Sequence, residues 1–192
     1  GIIVQLPLPG HINVQYILNA VPPEKDVDVL SAKALGNFFV SKSDILPPVV
    51  GAVKAFFEEY GVEAKGKYAV VIGAGRLVGK PVAVWLMNEG ATVSVVNEYT
   101  KDIVEFTREA DIVISGAGKP KLITGDWVKE GAVVIDAGTS ESEGKLVGDI
   151  DFDSVSKKAS YISPVPGGVG PLTVASLFQN LIGWEEKEKP GE

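Results

Sequence analysis

Residues Val70–Pro81 read VVIGAGRLVGKP, and residues Ala91–Thr100 read ATVSVVNEYT. The first stretch is an apolar strand that runs into a glycine turn and a helix start. The second is another strand, ending in Asn97-Glu98. Strand, helix and strand in this order make a βαβ unit, which commits the chain to a parallel sheet. Gly73, Gly75 and Gly79 set the pattern G-x-G-x-x-x-G between strand and helix. Gly73 permits a tight turn, Gly75 lets a ligand approach the backbone, and Gly79 permits close packing of helix on strand. The free N–H groups at the helix start then face an anion such as a pyrophosphate. The same glycines would serve a tight turn with no ligand. The acidic residue at the end of the next strand favours a dinucleotide.

That residue is Glu98, 25 positions after Gly73, close to the usual spacing of roughly 20. A carboxylate there accepts hydrogen bonds from a ribose 2′-hydroxyl and repels a 2′-phosphate. NAD is therefore expected in preference to NADP, unless Glu98 is only a solvated strand-end charge. Arg76 is the one cation in the turn and is expected to face the pyrophosphate or solvent. Ala74 and Val78 complete the cofactor turn.

The regular pattern spreads from this unit. Strands are expected at Tyr68–Ile72, Thr92–Val96, Asp111–Ser115, Ala132–Asp136 and Tyr161–Ser163. Helices are expected at Val78–Asn88, capped by Gly90, at Lys101–Ala110 and at Pro171–Gly183, with a helical turn near Trp127. In the last helix Val174, Leu177, Phe178 and Leu181 share one face available for burial. Near-continuous apolar strands alternating with helices predict an α/β fold, a Rossmann-type doubly wound parallel sheet covered on both faces. Upstream, Ile2–Leu6 reads as a short strand stopped by Pro7-Leu8-Pro9. Asn13–Ala20 is a helix with Asn13 as its N-cap, ended by Pro22-Pro23. Pro47-Pro48 opens a helix to about Tyr60, with Val53, Phe56 and Phe57 inward.

Composition narrows the chemistry. The 192 residues carry a net charge of −7, are 45% apolar and 22% charged, and show no basic stripe, so neither nucleic acid nor membrane is an expected partner. Cys is absent and His occurs once, at His11. That removes disulfides, thiolate nucleophiles, Cys/His metal sites and a Ser-His-Asp triad, and no metal is expected. His11 could act as an acid or base, but a surface turn after Pro9-Gly10 is the expected setting.

Five stretches carry a resemblance: Val4–Pro9 (VQLPLP), Pro23–Asp28 (PEKDVD), the glycine turn, Gly125–Asp136 (GDWVKEGAVVID) and Pro164–Thr173 (PVPGGVGPLT). Together they resemble the bifunctional methylenetetrahydrofolate dehydrogenase/methenyltetrahydrofolate cyclohydrolase family, often called FolD, from Gly1 to about Trp184. The resemblance implies a Rossmann domain facing an N-terminal catalytic domain, with folate and nicotinamide between them. It implies a remnant of that catalytic α/β domain at 1–46, a linking helix and connector at 47–67, and an NAD-binding domain at 68–171. A C-terminal helix at 172–184 would pack back toward the catalytic domain, ahead of a frayed charged tail at 185–192.

By the same resemblance Val4, Gln5 and Leu6 line the folate site, with Gln5 beside the cyclohydrolase lysine. Asp28 holds the amino-pyrimidine edge of the pterin, a two-point acceptor arrangement that suits a carboxylate. Gln5 and Asp28 are the catalytic candidates. Read without the family, Asp28 could equally be a turn or cap aspartate. Pro166, Gly167, Gly168, Val169 and Gly170 pack beside pterin and nicotinamide, or form a loop of special geometry without ligand. Gly138, Thr139 and Thr173 fall on the nicotinamide side. The implied reaction is oxidation of 5,10-methylenetetrahydrofolate by hydride transfer to NAD(P), within one-carbon metabolism and purine biosynthesis. A cytoplasmic homodimer is implied as well.

The chain departs from the family pattern in places. The usual turn G-R-S, whose Arg binds the NADP 2′-phosphate, is Gly73-Ala74-Gly75, and the usual strand-end Ser is Glu98. Val29 follows Asp28 where Gly is usual. Pro48-Val49-Val50-Gly51 replaces T-P-x-G. The family's catalytic lysine and tyrosine match no residue here. The opening at Gly1-Ile2-Ile3-Val4, with no Met and inside an apparent strand, favours a piece of a longer protein, inactive by itself if the missing segment is needed and with any cyclohydrolase activity completed by it, over a naturally short relative. An uncovered apolar face should mark where that segment packs. The alternatives are a Rossmann dehydrogenase of another substrate, or a non-catalytic NAD-binding or dimerisation module.

Overall fold

The structure, a computed structural model, describes residues 1–142 and 144–188, with side chains described through Gly183. It begins with a loop-rich lobe. Helix α1 spans Val14–Ala20, and the Tyr16 N–H donates to the Asn13 side chain at 3.0 Å, the N-cap expected from sequence. Helix α2 spans Ala32–Phe39 and is capped by Ser31. The sequence reading has no helix here: Gly36 lowers the helix propensity, and 8 residues is short for a helix, although its apolar residues do share one face. Helix α3 spans Pro48–Tyr60 and ends at Gly61, whose φ of +62° allows the reversal.

The expected strand at Ile2–Leu6 does not form. A strand needs a ladder, and this segment has a single backbone bond of that kind, from Ile2 N–H to the Lys25 carbonyl at 2.8 Å.

The remainder follows the βαβ reading. Strand β1 is Tyr68–Ile72, α4 is Gly79–Asn88, β2 is Thr92–Val96, α5 is Ile103–Glu109, β3 is Ile112–Ser115 and β4 is Val133–Asp136. A short hairpin follows, β5 Ser140–Ser142 and β6 Lys145–Val147, then α6 Phe152–Val155, β7 Tyr161–Ile162 and α7 Val169–Glu188. The hairpin and α6 are too short to be read from periodicity. The main sheet has the order β2-β1-β3-β4-β7, all parallel. Successive residues of β1 face opposite ways. Ala69 and Val71 join Val50, Val53, Phe57, Val82 and Leu86 in one core. Val70 and Ile72 join Ala110, Ile123, Val128 and Val155 in the other. Between β1 and β3 the winding reverses, and ligands of such sheets bind outside the carboxyl ends of the strands at that point.

Helix α7 is rolled relative to the expected face. Val174 and Phe178 are 55% and 63% exposed, whereas Ser176 and Asn180 are buried. The reason is polar and steric. Asn180 Nδ2 donates to the carbonyls of Val27 and Leu46, both at 2.8 Å. Gly51 of α3 lies so close to Ser176 that a Cβ there would sit 2.0 Å from its Oγ. A small-residue seam therefore faces α3, and Val174, Phe178 and Ile182 form an uncovered apolar strip. The helix also continues to Glu188, beyond the Gly183 end read from sequence. Of the expected frayed tail, residues 189–192 lie outside the described residues. No helix among the described residues is long and apolar enough to cross a membrane.

Val29 carries visible backbone strain. It is fully buried at φ +55°, a conformation that a β-branched residue disfavours by about 1–2 kcal/mol. Val29→Ala keeps the strain and loses buried methyl groups, whereas Val29→Gly loses the whole side chain but relieves the strain. The Gly variant should therefore be the more stable of the two, by about 1 kcal/mol, in denaturant melts. An Ala variant more stable than the Gly variant would remove strain from the account.

Candidate active site

A cavity of about 580 Å³ opens between the first lobe and the carboxyl ends of the sheet strands. Each segment reaches it for a local reason. Pro7 and Pro166 both follow cis peptide bonds, one in each proline-rich motif facing the cavity. Val4, Gln5, Leu6 and Asp28 line its lobe side. Pro166, Gly167, Gly168, Val169 and Gly170, with Gly138, Thr139 and Thr173, line the sheet side. Arg76 and Val78 reach it from the glycine turn. The two sets, far apart in sequence, share one space.

The other cofactor candidates lie beyond this lining. Gly73, Ala74, Gly75 and Gly79 form the turn at the start of α4, and Glu98 stands exposed past the end of β2. The turn is closed by contact. A Cβ at Gly79 would sit 1.8 Å from the Gly73 carbonyl oxygen, so any side chain there breaks the turn. Gly75 faces open space, with nothing within 4 Å of its would-be Cβ. A tight turn with an open face suits a pyrophosphate on the α4 amides. Arg76, expected to face the pyrophosphate or solvent, is half-buried. Its guanidinium donates to Gln15 Oε1 on α1, which ties the glycine turn to the first lobe.

Asp28 is half-buried in the cavity wall, and among the described residues nothing donates to its carboxylate. Burial first, and the nearby Asp26 charge second, push its pKa above the usual carboxylate range. Asp26 itself is occupied, accepting from the N–H groups of Leu30 and Ser31. Of the two carboxylates, only Asp28 is open to a ligand. Val29 also borders the cavity, so the strained residue supports the wall beside Asp28.

Comparison with known proteins decides the kinship. The family model described as tetrahydrofolate dehydrogenase/cyclohydrolase, NAD(P)-binding domain, matches residues 47–189, and the catalytic-domain model of the same name matches residues 1–28. The chain belongs to the tetrahydrofolate dehydrogenase/cyclohydrolase family. It is 50% identical over 184 residues to the bifunctional protein FolD of a Hydrogenobaculum species, covering 95% of this chain and 66% of that one. The FolD crystal structure from Campylobacter jejuni superposes with a TM-score of 0.93 at 45% identity, over 96% of this chain and 66% of that one. The Trypanosoma brucei FolD structure, solved with NADP and an inhibitor, gives 0.92 at 44% identity, over 98% and 67%. The chain thus spans about two thirds of the length of these FolD relatives.

Several parts of this FolD-family site are not legible in the sequence. Leu35, Leu77, Leu146 and Leu177 supply apolar walls, and lone leucines carry no functional signal. Asp136 and Ser163 lie below the sheet-side loops. Asp136 is buried and accepts from the N–H groups of Gly138, Asp149 and Ile150. Its burial raises its pKa against the pull of those three donors, and the Asp149 charge adds to the rise. The Asp136 N–H donates to Ser163 Oγ at 2.8 Å, tying the Ala137–Thr139 loop to the PVPGG loop. The strand end VVID offers a hint of Asp136, but only the fold shows what it fastens.

Proposed function

We propose that this chain oxidises 5,10-methylenetetrahydrofolate by hydride transfer to a nicotinamide dinucleotide, with NAD preferred over NADP. Cyclohydrolase activity is not assigned to any lysine of this chain. The observation that carries the reading is the single cavity lined by both proline-rich motifs, with Asp28 unsatisfied in its wall.

The residues divide the work. Asp28 orients the pterin through its amino-pyrimidine edge, and Val4, Gln5 and Leu6 hold the same side. Gly73–Gly79 and the α4 amides would hold the pyrophosphate, with Gly138, Thr139 and Thr173 on the nicotinamide side. When bound, the nicotinamide supplies the hydride acceptor. The substrate nitrogens stabilise the cation left behind, so no residue has to move a proton. Holding the methylene carbon in line, with water kept away by the leucine walls, is the protein's main contribution. This agrees with a cavity that has no Cys and no His in its lining. Reduced-cofactor formation from methylenetetrahydrofolate, run with NAD and NADP in parallel, tests the reading. Turnover favouring NAD is expected; binding of neither folate nor dinucleotide would sink it.

Glu98 supports the NAD preference. Glu98 is exposed where a ribose 2′ group would lie. Glu98→Ser should lower the NAD-to-NADP ratio of kcat/KM by about tenfold or more, equivalent to roughly 1.4 kcal/mol. An unchanged ratio would assign the preference elsewhere. The same proposal includes pairing of two copies through the Rossmann half. Its support is the edge position of β2, with Val95 and Tyr99 44% and 85% exposed.

A further inference from the structure

Asp149 is fully buried, forms no ion pair among the described residues, and has no role in the chemistry described above. Its carboxylate is nevertheless among the most heavily solvated by protein donors. Oδ2 accepts from Ser115 Oγ at 2.8 Å, from Ala117 N–H at 2.7 Å and from Gly118 N–H at 3.2 Å. Oδ1 accepts from Lys119 N–H at 2.8 Å. Three successive amides therefore converge on one anion. Gly118, at φ +65°, gives the backbone the turn that aims them. Such a concave run of N–H groups is an anion-binding nest. Here the nest is filled from within the chain.

The position of the nest gives it a task. It follows β3, on the other side of the β1/β3 switch point from the glycine turn. Gly116, the residue before it, touches that turn. A Cβ at Gly73 would sit 2.5 Å from the Gly116 carbonyl oxygen, and a Cβ at Gly116 would sit 2.5 Å from Val78, which lines the cavity. The loop is the wall against which the glycine turn is set. The backbone of Asp149 is fixed in turn by Asp136, which accepts its N–H at 3.1 Å, and Asp136 also fixes the Ala137–Thr139 loop.

We propose that Asp149 is a positioning residue for the dinucleotide: by filling the Ala117–Lys119 nest it fixes the loop against the glycine turn, and leaves the α4 amides as the site open to pyrophosphate. The inference rests on the dinucleotide reading given above. Removing the carboxylate would take the acceptor from the part-buried N–H groups of Ala117, Gly118 and Lys119 and from the buried Ser115 hydroxyl, and with it what holds the loop in shape. An isosteric amide keeps the volume but turns an NH₂ group toward N–H donors.

The test is Asp149→Asn in the full 192-residue chain, with NAD, NADP and folate affinities measured by calorimetry beside the wild type. NAD affinity should fall by about tenfold or more while folate affinity changes by less than about twofold, because Asp28 lies on the other lobe. If the wild type binds NAD and the variant binds it equally well, this inference is overturned and the function stands. Equal weakening toward both ligands would also overturn it, since the effect would then be general damage. A wild type that binds neither dinucleotide would overturn both readings. Should the variant fail to fold, amide exchange in the wild type decides. Ala117, Gly118 and Lys119 should exchange as slowly as β3, and exchange as fast as that of exposed loops would overturn the proposal.

Discussion

Asp28→Ala should weaken folate binding by about a hundredfold and leave NAD binding within about twofold. The magnitude follows from two hydrogen bonds to a charged acceptor, about 1.5–3 kcal/mol each, partly offset by the lower desolvation cost of the variant. Asp28 has no donor of its own to lose, so the free protein should tolerate the change. The group is already penalised by burial and by Asp26, which hold its pKa above the ordinary carboxylate value. The sign of the pH effect follows. In the free protein the raised pKa means that this group's stabilising contribution is full below the ordinary pKa and is lost as pH rises through the raised one. Folate affinity moves the opposite way, because the acceptor is the carboxylate, and should fall as pH drops through the same interval. Asp28→Asn should flatten that dependence. Folate affinity of Asp28→Ala equal to wild type would place the pterin elsewhere.

Gly79→Ala should be the most damaging single methyl in the chain. The added Cβ would meet the Gly73 carbonyl oxygen at 1.8 Å and the Ala74 Cα at 3.1 Å, and both are backbone atoms that no side-chain rotation can move. The glycine turn must open or α4 must shift. Either way the packing of buried Val82, Trp85 and Leu86 is disturbed, and a loss of about 2–4 kcal/mol is expected in denaturant unfolding. NAD binding should be lost with it. Gly75→Ala is the control, since its Cβ meets nothing within 4 Å and should leave stability nearly unchanged while obstructing the dinucleotide. Equal stability of Gly79→Ala and wild type would mean that the turn is not closed by this contact.

The contrast between these glycines marks what was legible. Strands β1 and β2 could be bounded to the residue because continuous apolar runs between Gly or polar breaks have one economical structure. The candidate lining at Val4–Leu6, Asp28 and Pro166–Gly170 rested on a resemblance of motifs, and the cavity brings them together. The roll of α7 was hidden because periodicity identifies an apolar stripe but not whether anything covers it. There a polar anchor, Asn180, and a close approach at Gly51 outweigh Val174 and Phe178. Ile2–Leu6 had strand-like residues and no ladder, since a strand is a property of pairs. Asp149 looked like any acidic loop residue, because a filled nest is made of backbone geometry, which one-letter codes do not carry.

Asn180 has a consequence in time as well as in space. Its amide ties down the carbonyls of Val27 and Leu46, on either side of the segment that carries Asp28 and its cavity wall, from more than 130 positions away along the chain. During synthesis the βαβ units can pair as they emerge, whereas this clasp cannot close until the last helix has left the ribosome. The cavity wall that carries Asp28 is then fastened only after the sheet has paired, and a nascent chain stalled in α7 would hold a finished sheet beside an unfastened lobe.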